Sequence, residues 1–87
     1  MIRFRPARPS VTASLKDEHV FDTMEEMKDH IYSVWSRFYA YVGAAAPLRP
    51  DEILIGEARG DDALTGYRNV RQICISRADR CIGYCGE

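Results

Sequence analysis

The stretch from Phe21 to Gly43 constrains the fold of this chain more than any other part of the sequence. Its apolar residues recur at steps of three and four, which places them on one face of an α-helix. These residues are Met24, Met27, Ile31, Val34, Trp35, Phe38 and Val42. Thr23 and Glu26 have the spacing of a capping box, and Gly43 can adopt the left-handed conformation that ends a helix. The pattern therefore predicts one long amphipathic helix with a buried face.

The rest of the chain contains short apolar segments separated by turn-forming residues. Residues 2–5 alternate apolar and basic side chains, and residues 18–21 are a weaker strand candidate. Residues 52–58 are apolar and β-branched, residues 67–76 contain the longest strand candidate, and residues 81–84 read as a returning strand.

A helix and a sheet each bury their apolar side against the other. We therefore expect an α+β fold in which one main amphipathic helix packs on a small, mostly antiparallel sheet of three to four strands. The alternative is an all-helical N-terminal half that docks on a small hairpin.

The size and composition of the chain indicate a single domain that spans residues 1–87. Its hydrophobic fraction of 46% and charged fraction of 29% are typical of soluble globular proteins. No apolar run reaches the roughly 20 residues of a membrane-spanning helix. The first residues, Met-Ile-Arg-Phe-Arg-Pro, are charged and unlike the apolar region of a signal peptide. We therefore expect a cytoplasmic protein that does not bind a membrane.

Three cysteines and two histidines are the residues that could form a zinc site, and Asp61 and Asp62 are adjacent acids in a turn that lacks the pattern of a calcium-binding loop. Cys81 and Cys85 are four residues apart on a strand candidate, which predicts that they share one face about 13 Å apart, too far for a disulfide. Cys74 adds no pair with the close spacing on turns that structural zinc sites use. His19 and His30 have no metal-ligand spacing and no recognisable catalytic partner. We therefore expect reduced thiols, no metal, no cofactor and no enzymatic activity.

Charge is segregated along the chain, although the net charge is only −1. Residues 1–16 and 63–80 are basic, whereas residues 17–29 and 51–62 are acidic. The basic and acidic segments could neutralise each other, or the basic segments could form one surface. Basic and aromatic residues together would suit single-stranded nucleic acid, whereas the acidic segments would repel it. The candidate residues for such a surface are Arg3, Phe4, Arg5, Arg8, Tyr67, Arg68 and Arg71, and Tyr84 would add a further ring.

Three tyrosines of the predicted helix cannot all face inward with its apolar stripe. Exposed tyrosines on a rigid element are good anchors for a protein partner. Tyr32, Tyr39 and Tyr41 are therefore the candidate partner-binding residues. An exposed edge strand could also recruit a partner strand or a second copy of the chain, which would give a homo-oligomer.

Several short motifs stand out along the chain. They are Arg3-Phe4-Arg5-Pro6, Phe21-Asp22-Thr23 at the start of the helix, and the pairs Gly66-Tyr67 and Gly83-Tyr84. In combination they resemble small uncharacterised proteins that are encoded by phages and prophages. The resemblance implies a small α+β protein of mobile-element origin, and it implies no particular activity.

These observations favour an accessory protein of a phage or prophage. We expect it to act as a non-enzymatic protein-binding module on a host or phage protein, and an inhibitor of a host protein is one form that it could take. The alternative is a small nucleic-acid-binding accessory protein that uses the arginine and aromatic residues.

Overall fold

The computed structural model describes residues 1–7 and 18–87. The elements of these residues are, in chain order, strand β1 (Ile2–Pro6), strand β2 (His19–Phe21), helix α1 (Met24–Tyr41), a 3₁₀ turn (Pro50–Glu52), strand β3 (Ile53–Ile55), strand β4 (Arg71–Ile75), a second 3₁₀ turn (Ser76–Ala78) and strand β5 (Arg80–Gly86). Arg8, a candidate residue for nucleic-acid binding, lies outside the described residues.

The strands form one five-stranded sheet in the order β2-β1-β5-β4-β3, and all neighbours are antiparallel. The predicted α+β class, with one main helix on an antiparallel sheet, is confirmed. The sheet has five strands rather than three to four, because the weaker candidate at residues 18–21 is a true edge strand. In it, Phe21 pairs with Ile2 and His19 pairs with Phe4.

The strand predicted within residues 67–76 is shorter in the structure, because β4 begins only at Arg71. Asn69 has a φ of 53°, in the left-handed region, and this interrupts the extended chain. Tyr67 instead forms an isolated bridge with Asp62 and closes a loop. Residues 67–70 therefore do not continue β4, and Tyr67 does not share a strand with Arg71.

Helix α1 packs across one face of the sheet, which we call the closed face. The amide of Glu26 donates to the hydroxyl of Thr23 at 3.1 Å, which confirms the predicted N-cap. Gly43, with a φ of 74°, follows the helix as predicted. The core between helix and sheet consists of Phe4, Met27, Ile31, Val34, Trp35, Leu48, Ile53, Ile73, Ile75, Ile82 and Cys85.

A β-bulge in β5 changes which residues share a face. The register shifts between Ile73 and Cys74, so that β5 carries one extra residue, Ile82, at this point. Cys85 is buried on the closed face, whereas Cys81 lies opposite Cys74 on the other face. The prediction that Cys81 and Cys85 share a face is therefore wrong.

Candidate interaction face

The face of the sheet that points away from α1 is called here the open face. The strand register arranges its residues in three rows: Val20, Arg3 and Gly86; Arg5, Tyr84 and Gln72; Cys81, Cys74 and Leu54. Each row crosses neighbouring strands, so the side chains are held on a rigid platform rather than on loops.

The open face exposes several large apolar side chains. Val20 is 53% exposed, Leu54 is 47% exposed and Tyr84 is 43% exposed. Tyr84 is the direct neighbour of Arg5 across β5 and β1. A tyrosine, an arginine and two aliphatic side chains on one rigid surface are a composition that favours protein contacts.

Tyr67 covers part of the open face and is itself buried. The guanidinium of Arg3 lies 4.4 Å from the centre of its ring, and its hydroxyl donates to the carboxylate of Glu18. Burial first, and then this hydrogen bond, raise the pKa of Tyr67. A Cβ on Gly86 would lie 2.8 Å from the Cβ of Tyr67, so glycine is needed for the ring to pack this closely. Tyr67 is therefore a structural residue of this face.

Arg3 is held by the same cluster. Its guanidinium donates to the carbonyl oxygen of Gly66 at 3.0 Å and to that of Glu87 at 3.3 Å. With its planar group stacked on Tyr67 and two donor contacts made to the backbone, Arg3 ties the C-terminal end of the chain to β1.

A cavity of about 300 Å³ lies beside Tyr67 on the open face. Its lining consists of Arg5, Arg59, Gly60, Asp61, Asp62, Thr65, Tyr67, Val70 and Tyr84. Asp62 is used locally, because its carboxylate accepts from the amide of Leu64 and the hydroxyl of Thr65. Arg5 forms a long ion pair with Glu18 at 3.7 Å. The cavity thus combines aromatic surface with charges of both signs.

Among the described candidates, the structure places Phe4 and Arg71 away from the predicted arginine and aromatic face. Phe4 is fully buried on the closed face. Arg71 lies on the helix side of β4, in register with Cys85, and donates to the carbonyl oxygen of Gly56 at 2.9 Å. Of the described candidates, Arg5 and Arg68 remain exposed. The prediction failed at Phe4 and Arg71 because the alternation of a strand separates neighbouring residues onto opposite faces.

The three candidate tyrosines of α1 have different environments. Tyr32 is half-buried, and its hydroxyl donates to the carbonyl oxygen of Leu48 at 3.0 Å. Tyr39 packs edge-on against Phe38 and lies under the guanidinium of Arg77, 5.4 Å from the ring centre. Tyr41 is 90% exposed at the end of the helix. Two of the three tyrosines thus help to hold the fold, and Tyr41 is the one available as an anchor.

Arg77 fastens the connector after α1 to the sheet. Its guanidinium binds the carboxylate of Glu52 at 2.7 and 2.8 Å and donates to the carbonyl oxygens of Ala46 and Pro47 at 2.7 and 2.8 Å. The carboxylate of Glu52 also accepts from the backbone amide of Arg49. The hydrogen bonds from Arg77 and Arg49 lower the pKa of Glu52 to about 2.

The two histidines lie together at the edge of the closed face. The rings of His19 and His30 are 5.3 Å apart, and both are close to Phe21. Burial first, and then the charges of His19 and Arg37, lower the pKa of His30. Within residues 1–7 and 18–87, no group of three or more His, Cys, Asp and Glu side chains could hold a metal ion.

Within the part of the chain that the structure describes, the edges of the sheet are β2 and β3, and each is three residues long, which leaves a short pairing length for an added strand. Over the described ranges, no helix has the length and apolar character needed to cross a membrane.

Sequence reasoning missed Leu54 and Arg59 as residues of this face. Leu54 lies between Ile53 and Ile55, and such an apolar run looks like a strand that is buried on both sides. The run is in fact an edge strand with alternating burial, Ile53 inside and Leu54 outside. Arg59 reaches the cavity from the chain after β3, and its position depends on the backbone bond from its amide to the carbonyl oxygen of Val70.

Comparison of the chain with protein-family models, with curated proteins and with solved structures finds no match.

Proposed function

We propose that this chain is a non-enzymatic, cytoplasmic protein-binding module of phage or prophage origin, which docks on a host or phage protein through its open face. The observation that carries the proposal is the exposure of Val20, Leu54 and Tyr84 around Arg5 on one rigid sheet surface. The motif resemblance supports the mobile-element origin.

The arrangement suits docking for two physical reasons. Tyr84 and Arg5 belong to the residue types that most often dominate binding energy, and they sit at the middle of the sheet rather than at its rim. The backbone of Tyr84 is fixed by strand pairing on both sides, with Arg5 and with Gln72, so less conformational entropy is lost when a partner binds. The adjoining cavity of about 300 Å³ can accept a protruding side chain of the partner.

The same geometry favours a protein partner over single-stranded nucleic acid. Base stacking needs exposed rings, whereas Phe4 and Tyr67 are buried. Arg3 already contacts two carbonyl oxygens, and Glu18 lies beside Arg5. A phosphate backbone would therefore meet a partly neutralised surface.

The test is affinity capture of the tagged protein from lysate of its host, with and without nuclease, followed by mass spectrometry. Val20→Asp and Leu54→Asp place a charge at opposite edges of the open face. Val42→Asp is the matched control, because Val42 is 54% exposed, almost the same as Val20, but lies at the end of the helix. Thermal unfolding of each variant verifies that it is folded.

We expect the wild-type protein and Val42→Asp to retain one stoichiometric protein in the presence of nuclease, and the two open-face variants to lose it. Retention by the open-face variants, or equal loss with Val42→Asp, would contradict the assignment of the face. Loss of all bound material after nuclease treatment would favour the nucleic-acid alternative, and capture of only the chain itself would indicate a homo-oligomer.

A further inference from the structure

Cys74 and Cys81 face each other across β4 and β5. They are direct partners in the antiparallel register, and both thiols are free and partly exposed. Cys74 alternates with the buried Ile73 and Ile75, so its side chain and that of Cys81 point to the open face. This pair could not be predicted from the sequence, because its register depends on the turn and on the bulge in β5.

The hydrogen-bond pattern shows which kind of pair the two cysteines form. The carbonyl oxygen of Gln72 accepts from the amide of Gly56, on the β3 side of β4. Backbone groups two residues apart on a strand point to the same side, so the backbone groups of Cys74 also point toward β3. Cys74 and Cys81 are therefore a pair without hydrogen bonds between them.

Pairs of this kind have the spacing that a disulfide needs. Their Cα atoms are about 4.5 Å apart, and disulfides span Cα separations of about 4.4 to 6.8 Å. The pair also lacks a competing cysteine on its own face, since Cys85 is buried on the closed face beside the helix. Only residues 75–80 separate the two cysteines along the chain, so little chain entropy opposes closure.

We propose that Cys74 and Cys81 are a redox-active pair that forms a reversible cross-strand disulfide when a hydroperoxide oxidises it. One thiol loses its proton, and its thiolate sulfur attacks a peroxide oxygen; an S–O bond forms, the O–O bond breaks, and the leaving hydroxide or alkoxide takes up a proton, which gives a sulfenic acid and water or an alcohol. The second thiol sulfur then attacks the sulfenic sulfur, forms the S–S bond and releases water. Two thiols are oxidised, one peroxide is reduced, and a dithiol reductant reverses the change.

The environment of the pair predicts a labile bond. Disulfides that are exposed are reduced more readily than buried structural ones. Burial first, and then the neighbouring Cys81, raise the pKa of Cys74, which limits its thiolate fraction at neutral pH. The dithiol is thus expected to persist under reducing conditions and to be oxidised only when peroxide is present. This inference does not depend on the proposed docking function.

The experiment treats the folded chain with hydrogen peroxide, removes the peroxide, unfolds the protein so that buried Cys85 can react, alkylates the remaining thiols and measures the intact mass. We expect the loss of two hydrogen atoms and one remaining alkylation, on Cys85. Digestion with trypsin, which cleaves after Arg71, Arg77 and Arg80, and with chymotrypsin, which cleaves after Tyr84, separates all three cysteines. The expected product is peptide 72–77 linked to peptide 81–84, and dithiothreitol should release it.

Variants provide the control. Cys74→Ser and Cys81→Ser should each abolish the intramolecular disulfide, and Cys85→Ala should leave it unchanged; if Cys85→Ala fails to fold, the peptide map of the wild-type protein still decides. A disulfide that involves Cys85, a disulfide between two chains, or full alkylation of all three thiols after peroxide treatment would overturn the proposal.

Discussion

The closed and open faces are built by alternate residues of the same strands, yet they are occupied very differently. On β3, Ile53 is buried against the helix while its neighbour Leu54 is about half exposed. On β1, Phe4 is fully buried while Arg5 is exposed. The contrast teaches that the stability of this small fold comes mainly from one face. The other face, apart from the contacts of Tyr67, can change without loss of the fold.

The largest difference in stability should be between substitutions of Phe4 and Arg5, which are neighbours on β1 but lie on opposite faces. Phe4→Ala should lower the free energy of unfolding by about 3–5 kcal/mol, because it leaves a cavity in the core. Arg5→Ala should lower it by less than about 1 kcal/mol, since it removes only an exposed ion pair. Denaturant unfolding of the two variants measures the difference. Equal losses of stability would contradict the claim that stability comes mainly from the closed face.

The β3 pair repeats the test at the edge of the sheet. Ile53→Ala should lower the free energy of unfolding by about 2–5 kcal/mol. Leu54→Ala should lower it by roughly 1 kcal/mol or less, because about half of its surface is already in water. The same unfolding measurement applies, and a greater loss for Leu54→Ala would assign that side chain to the core.

Gly86→Ala tests whether the packing of Tyr67 on the open face contributes to stability. Its new Cβ would lie 2.8 Å from the Cβ of Tyr67 and 3.0 Å from the carbonyl oxygen of Arg68. We expect a loss of about 1–3 kcal/mol in the free energy of unfolding. Gly56→Ala is the control, because its Cβ would meet its nearest neighbour, the carbonyl oxygen of Gln72, only at 3.3 Å. A neutral Gly86→Ala would mean that Tyr67 does not pack tightly on this face.

The smallest effect concerns pH. The pKa of Glu52 falls from 4.5 to about 2 on folding, so its contact with Arg77 stabilises the protein above about pH 5 and is lost as pH falls toward 2. Glu52→Gln should therefore lower the unfolding temperature at pH 7, and the difference from the wild-type protein should vanish near pH 2. Asp51→Asn is the control, because its ion pair with Arg49 is well exposed and should matter little. A difference that persists at pH 2 would show that the ion pair is not its cause.

The helix and the fold class could be predicted because their signals are local. The period of the apolar residues and the Thr23 cap specify α1 without knowledge of distant contacts. Residues 18–21 are a strand candidate in the sequence, but the place of β2 at the edge of the sheet and the bulge at Ile82 could not be predicted, because both depend on which strands become neighbours. The contact of Arg3 with Tyr67 joins residues that are far apart in the chain, and no local sequence pattern predicts it.

The same difference between local signals and long-range contacts applies to the candidate site. The helix period correctly indicated that Tyr32, Tyr39 and Tyr41 could not all lie in the core stripe. It could not foresee that Leu48 would bind the hydroxyl of Tyr32, or that Arg77 would cover Tyr39. Residues far apart in sequence supply both contacts, so the exposure of these tyrosines depends on the tertiary structure.

The most direct test of the account compares two equivalent substitutions. Tyr84→Ala and Tyr41→Ala remove the same side chain, from the middle of the open face and from the end of the helix. Calorimetric titration against the captured partner should show binding at least about tenfold weaker for Tyr84→Ala. Tyr41→Ala should bind as the wild-type protein does, and thermal unfolding verifies that both variants are folded at the temperature of the titration. Wild-type affinity for Tyr84→Ala, or weakening only for Tyr41→Ala, would contradict docking through the open face.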